Sequence, residues 1–106
     1  MKTVITIIAL ATLAAIAATA ASAALLPFRN ARAYANWLET TAAKKGTSYT
    51  CVAPTRYHVF CTGRIVKTQD PVSADYWKVG PHRVKYCVRL RGFHPCYTER
   101  STSPYV

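Results

Sequence analysis

Residues 83–99 have the sequence RVKYCVRLRGFHPCYTE and contain the clearest structural signal in the chain. Over residues 83–90 an aliphatic or aromatic side chain recurs at every second position, which is typical of a strand with one buried face. Arg91-Gly92 fits a two-residue hairpin turn, and residues 93–99 fit the returning strand. Because Pro95 has no backbone N–H, we expect this returning strand to lie at a sheet edge or to contain a bulge.

The same hairpin suggests how the cysteines pair. In the register that the Arg91-Gly92 turn imposes, Cys87 lies opposite Cys96, which favours a cross-strand disulfide there. Cys51 and Cys61 would then close an earlier hairpin. Four cysteines allow three connectivities, and a bond from Cys51 to Cys96, which would join the two hairpins, is an open alternative.

One amphipathic helix is predicted over residues 31–45. Asn30 suits the N-cap position, and Gly46 can adopt the left-handed conformation that ends a helix. The positions of its buried face follow i, i+3, i+4, i+7, i+8 spacing and are Tyr34, Trp37, Leu38, Thr41 and Ala42. Glu39 is expected to face solvent.

The other predicted elements are short. Strands are predicted over residues 49–52 and 56–62, the second reaching toward 65–66. Residues 67–81 are predicted to be a loop with room for a short strand at 76–79, and residues 100–106 to be irregular. The element order predicts an α+β domain, with one N-terminal helix packed on a small antiparallel sheet. We expect the helix to cover Val84, Tyr86 and Val88, leaving the opposite sheet face open and basic.

Composition limits the classes of function. The chain has 106 residues, 14 Lys+Arg, 4 Asp+Glu and a net charge of +10. It is too short for a doubly wound nucleotide-binding fold or an (α/β) barrel. So few acids argue against an enzyme whose metal needs several carboxylates. The cysteine spacings contain no Cys-x-x-Cys pair, which argues against a zinc site. We therefore expect no metal and no cofactor.

The N-terminus has the pattern of a secretory signal peptide. Lys2 precedes an uncharged stretch over residues 4–18, and Ala21-Ser22-Ala23 fits a cleavage site. We expect a signal peptide at 1–23 and a secreted, disulfide-bonded domain at 24–106. No second apolar run is long enough to span a bilayer, so we expect no stable membrane insertion. We also expect a monomer.

Residues 80–86 and 92–96, which read GPHRVKY and GFHPC, resemble a segment of the small secreted fungal guanine-specific ribonucleases. Arg64-Ile65-Val66 lies where those enzymes have a proline followed by aliphatic residues. The resemblance implies that Arg83 contacts phosphate. It places the general base near Thr62 and the general acid near Ser101, and neither side chain can serve in these roles at neutral pH.

Loss of both groups implies binding without cleavage, because each contributes on the order of 10²–10⁴ to the rate. The combination is similar to the ribonuclease-like secreted effectors of plant-pathogenic fungi. Many of these effectors have a Tyr-x-Cys motif paired with a late cysteine, which Tyr49-Thr50-Cys51 and Cys96 resemble. This implies a virulence protein that is secreted and then acts in the host, with translocation into host cells as one way to reach its target. Its partners would be host RNA, a ribonucleoprotein, or a host defence protein or immune receptor. The rival hypotheses are an active ribonuclease or ribotoxin using His58, His94 or Glu99, and a cationic antimicrobial protein.

Basic residues interleaved with aromatic ones suit an RNA strand, because cations meet phosphates and rings stack on bases. The candidate RNA- and phosphate-binding residues are Arg83, Lys85, Arg89, Arg91, Arg64, Tyr57 and His58. Trp37 and Trp77 are expected in the core rather than in this surface.

Overall fold

The computed structural model describes residues 25–106, so the predicted signal peptide at 1–23 lies outside the described residues. The domain has one helix followed by five strands in an antiparallel meander of order β1-β2-β3-β4-β5. The elements are α1 (Ala31–Lys44), β1 (Thr47–Thr55), β2 (His58–Ile65), β3 (Pro71–Gly80), β4 (Arg83–Leu90) and β5 (Cys96–Arg100). The α+β prediction, a helix on an antiparallel sheet, is confirmed.

Helix α1 is one residue shorter than predicted. Its N-cap is Asn30, whose side-chain oxygen accepts a hydrogen bond from the Ala33 N–H at 3.0 Å. Its end is followed by Gly46, whose φ of +87° lies in the left-handed region that glycine adopts without strain. Tyr34 and Leu38 are buried on the face turned toward the sheet, as their spacing predicts.

The helix packs on β1 and β2 rather than on the whole sheet. Val59 and Cys61 of β2 are fully buried beneath it. The expectation that the helix covers Val84, Tyr86 and Val88 is therefore only partly correct, since Val84 is buried while the other two are half-exposed. Glu39 is half-buried rather than facing solvent, because its carboxylate accepts the Cys51 N–H at 2.7 Å.

The β4–β5 hairpin has the predicted register. Cys87 pairs with Cys96, and the turn residues Arg91 and Gly92 both have positive φ, at 51° and 80°. Two successive positive φ values give the turn that matches strand twist in tight hairpins. Strand β5 begins only at Cys96, after Pro95, whose missing N–H interrupts the pairing.

Both favoured disulfides are present, Cys51–Cys61 and Cys87–Cys96. Each joins residues that lie directly opposite each other on neighbouring strands. The described residues contain no free cysteine, so the alternative bond from Cys51 to Cys96 is excluded.

The predicted loop over residues 67–81 is wrong, because residues 71–80 form the central strand β3. This strand pairs with β2 on one side and β4 on the other, with Tyr76 opposite both Val59 and Tyr86. Strand β1 is also longer than the predicted 49–52, and it passes Pro54 with an irregularity between Val52 and Thr55.

The irregular C-terminal segment is packed against the start of the helix. Ser103 and Val106 are buried. The backbone N–H of Arg29 donates to the Val106 carbonyl at 3.2 Å, and the Lys78 ammonium donates to a Val106 oxygen at 2.6 Å. These contacts hold the two ends of the described chain together.

Candidate nucleic-acid interface

The two sides of the sheet have different chemistry because side chains alternate along each strand. We call the side turned away from helix α1 the outer face. The register places the following side chains on the outer face: His58, Phe60, Thr62, Arg64, Ser73, Asp75, Trp77, Arg83, Lys85, Cys87, Arg89, Cys96, Thr98 and Arg100. Arg83, Lys85 and Arg89 thus share one face, as predicted.

A line of cations follows β4 on the outer face. Arg83, Lys85 and Arg89 are exposed, and Arg83 lies directly opposite Arg100 of β5. Like charges facing each other across strands are unfavourable unless an anion lies between them. Arg83 and Lys85 are thus about 7 Å apart along β4, and Arg89 follows two alternate positions further on, beyond Cys87.

An aromatic patch lies beside the cations, on β2 and β3. The His58 ring stacks on Trp77 with centroids 5.3 Å apart and planes 8° from parallel, and Phe60 lies 6.5 Å from His58. Trp77 is half-exposed on the outer face, so its predicted place in the core is wrong. Lys85 is the direct cross-strand neighbour of Trp77, which brings a cation and an aromatic ring side by side.

Asp75 organises the middle of the outer face. One carboxylate oxygen lies 2.7 Å from His58 Nε2, and the other lies 3.8 Å from an Arg89 nitrogen. The Asp75 side chain is only 14% exposed, whereas that of Arg89 is 59% exposed. The carboxylate therefore orients the imidazole and the guanidinium while its own charge is largely shielded from solvent.

Sequence reasoning missed Asp75 and the outward position of Trp77. Both lie in residues 67–81, which the sequence pattern predicts to be a loop. The available signal was the alternation of Val72, Ala74 and Tyr76 with polar neighbours, which places Asp75 and Trp77 on the opposite side.

The remaining predicted binding residues lie at the two ends of the outer face. Tyr57 is in the β1–β2 turn, where the Arg56 guanidinium lies 5.2 Å from its ring centroid. At the other end, Arg64 donates to the Gln69 carbonyl at 2.9 Å. There Arg91 donates to Asp70, and hydrogen bonds from Thr68 and Arg91 lower the pKa of that carboxyl.

The three residues considered for catalysis are on different parts of the domain. His58 is on the outer face. Glu99 lies opposite Val84 and faces the helix side, and His94 is exposed in the β4–β5 connection. Thr62 is on β2, and Ser101 follows β5. Of the three, His58 shares the outer face with Arg83, whereas Glu99 is on the opposite face.

The chain matches no protein-family model, and no curated protein or solved structure is significantly similar to it. Within residues 25–106 no cluster of histidine, cysteine or acidic side chains could hold a metal ion. No helix in this same range is long and apolar enough to cross a membrane.

Proposed function

We propose that this protein is a secreted, ribonuclease-like effector that binds RNA strands on the outer face without cutting them. The observation that carries the proposal is the placement of the β4 cations beside the stacked Trp77 and His58 rings. Cations bind the phosphate backbone, and aromatic rings stack on unpaired bases. The two disulfides are compatible with an extracellular protein, and the resemblance of residues 80–96 to secreted ribonucleases supports the same hypothesis.

Binding by this line of cations should weaken steeply with salt. Each phosphate neutralised on a single strand contributes about −0.7 to the slope of log affinity against log salt. Binding of residues 24–106, oxidised, to a fluorescent RNA strand is measured by anisotropy at several salt concentrations. We expect Arg83→Ala to weaken binding and to reduce the slope by about 0.7.

The matched control is Arg32→Ala, which removes the same charge from an exposed helix position outside the outer face. Equal effects of the two variants would mean that net charge alone attracts RNA, and the proposed interface would be wrong. Strand cleavage is followed in the same samples. Cleavage by the parent protein that disappears in Arg83→Ala would replace the proposal with an active ribonuclease.

The aromatic part of the interface is tested separately with Trp77→Leu, which keeps an apolar side chain but removes the stacking surface. Stacking on an aromatic side chain contributes about 1–3 kcal/mol per base. We expect RNA binding to fall by at least fivefold. Binding to heparin, a polyanion without bases, should change little. Equal losses for RNA and heparin would refute base stacking at Trp77.

A further inference from the structure

A groove lies on the helix side of the sheet, where helix α1 stops covering it. Because α1 packs on β1 and β2, the inner surface of β4 and β5 is open. The groove has a volume of about 380 Å³, within the range of small-molecule sites. Its aromatic lining residues are Tyr34, Trp37, Tyr49, Tyr76 and Tyr86, and Glu99 lies at its β5 side.

The tyrosines form a row across the sheet. The rings of Tyr76 and Tyr86 stack at 5.4 Å, and Tyr86 lies 5.3 Å from Tyr97 at the sheet edge. Tyr34 of the helix meets Tyr76 edge-on at 6.1 Å. Since these rings contact one another, ring edges and hydroxyl oxygens form much of the surface left for a ligand.

The phenol protons of the four tyrosines that line the groove are firmly held. Burial raises the pKa of Tyr34, Tyr49 and Tyr76, and burial together with Glu99 raises the pKa of Tyr86 to about 12. The phenols are therefore neutral at physiological pH. The Tyr86 hydroxyl donates its proton to Glu99 at 3.0 Å, which leaves lone pairs on both groups.

In the part of the chain that the structure describes, Glu99 is the acidic residue whose carboxylate accepts no hydrogen bond from a charged group or from a backbone N–H. Asp75 faces His58 and Arg89, Asp70 binds Arg91, and Glu39 accepts a backbone N–H. Within residues 25–106, no cation lies within 4.0 Å of the Glu99 carboxylate, although the chain has 14 basic residues. The groove thus has a negative charge and spare acceptors beside apolar ring surface.

Two basic residues also line the groove. Lys45 follows the end of the helix, on the wall opposite β5. Arg100 follows Glu99 on β5, and strand alternation directs its side chain to the outer face. The carboxylate of Glu99 therefore dominates the β5 wall, while Lys45 lies across the groove.

We propose that this groove binds an organic cation, a protonated amine or guanidinium attached to an apolar body. The ammonium would donate to Glu99 and to the Tyr86 oxygen, and the apolar body would lie against Trp37 and the tyrosine edges. This site is separate from the proposed RNA interface, which is on the other face of the sheet. Either proposal can fail without the other.

The test uses residues 24–106 carrying Trp77→Phe, which leaves Trp37 as the one tryptophan of the chain's two. Benzylamine, protonated at neutral pH, is titrated while Trp37 fluorescence is followed, and benzyl alcohol serves as the uncharged analogue. A probe of this size should bind with a dissociation constant on the order of 1 mM. We expect benzyl alcohol to bind at least several-fold more weakly.

Glu99→Gln keeps an acceptor for Tyr86 and removes the charge. We expect it to weaken benzylamine binding by about three- to tenfold, as loss of a charge-assisted hydrogen bond at a partly exposed site does. Asp70→Asn, which removes the same charge outside the groove, should leave binding unchanged, and Lys45→Gln should not weaken it. No benzylamine binding, equal binding of the alcohol, or equal effects of Glu99→Gln and Asp70→Asn would overturn the proposal.

The same cation could be a free amine or the lysine side chain of a partner protein. N-acetyl-lysine methylamide, which has the ammonium on a peptide side chain, is titrated in parallel. Tighter binding of this probe than of benzylamine supports the proposed site and identifies a lysine side chain as its occupant. The reverse order also supports the site but identifies a free aromatic amine as its occupant.

Discussion

The two disulfides should contribute very unequally to stability although they close loops of similar length. Their sequence separations are 10 for Cys51–Cys61 and 9 for Cys87–Cys96. Loop-closure entropy alone gives about 2.7 kcal/mol for either bond. The difference arises from packing, because Cys51 and Cys61 are 8% and 0% exposed, whereas Cys96 is exposed and Cys87 half-buried.

We therefore expect the double variant Cys87→Ala/Cys96→Ala to lose about 2.7 kcal/mol of unfolding free energy. Cys51→Ala/Cys61→Ala should lose roughly 2 kcal/mol more, since each buried sulfur leaves a small cavity beneath the helix that costs roughly 1 kcal/mol. Urea unfolding of both variants measures this. With a slope of about 1 kcal/mol/M for a small domain, the midpoints should differ by about 2 M.

Equal midpoints for the two variants would refute the reasoning, because the packing term would then be negligible. The reverse order would show that the hairpin bond limits stability more than the core bond does. Parent protein measured with and without reductant provides the control, since removal of both bonds should exceed either single loss.

Two further changes test the fold and the tyrosine row. Gly63→Ala should lose more than about 3 kcal/mol, because the added Cβ would lie 1.7 Å from the Ser48 carbonyl oxygen, and thermal unfolding measures the loss. A loss below 1 kcal/mol would mean that β1 and β2 do not approach so closely. Burial and Glu99 raise the Tyr86 pKa from its ordinary 10.0 to about 12, so its contribution to stability is complete below pH 10 and disappears as pH rises to 12. Tyrosinate absorbance should show a phenol that titrates near pH 12. If Tyr86 does not contact Glu99 and the neighbouring tyrosines, its phenol titrates near pH 10 instead.

The hairpin and its disulfide could be predicted because the controlling information is local. Apolar side chains at every second position of β4 fix the two faces, and Arg91-Gly92 fixes the register. With the turn in place, Cys87 must meet Cys96. The helix was predictable for the same reason, because Asn30 and Gly46 mark its ends within the sequence.

Strand β3 could not be predicted in this way because its stability depends on non-local neighbours. Val72, Ala74 and Tyr76 alternate with other residues, but the next inner position is the polar Lys78 and the outer Trp77 is aromatic, so the apolar alternation breaks down in the second half of the strand. Pairing on both sides with β2 and β4 makes it a strand regardless of that pattern. The candidate site was incomplete for the same reason, since Trp77 and Asp75 belong to β3.

The Cys87–Cys96 bond also determines which chemistry each face of the sheet presents. Lys85 and Tyr86 are adjacent in β4, yet one faces the proposed RNA interface and the other the tyrosine groove. A slip of β5 by one residue would turn its side chains to the opposite faces and take Glu99 away from Tyr86. Because the bond joins directly opposed residues, it blocks that slip, although β5 is short and fully exposed. A partly exposed disulfide in the outer face thus fixes the position of a carboxylate on the inner one.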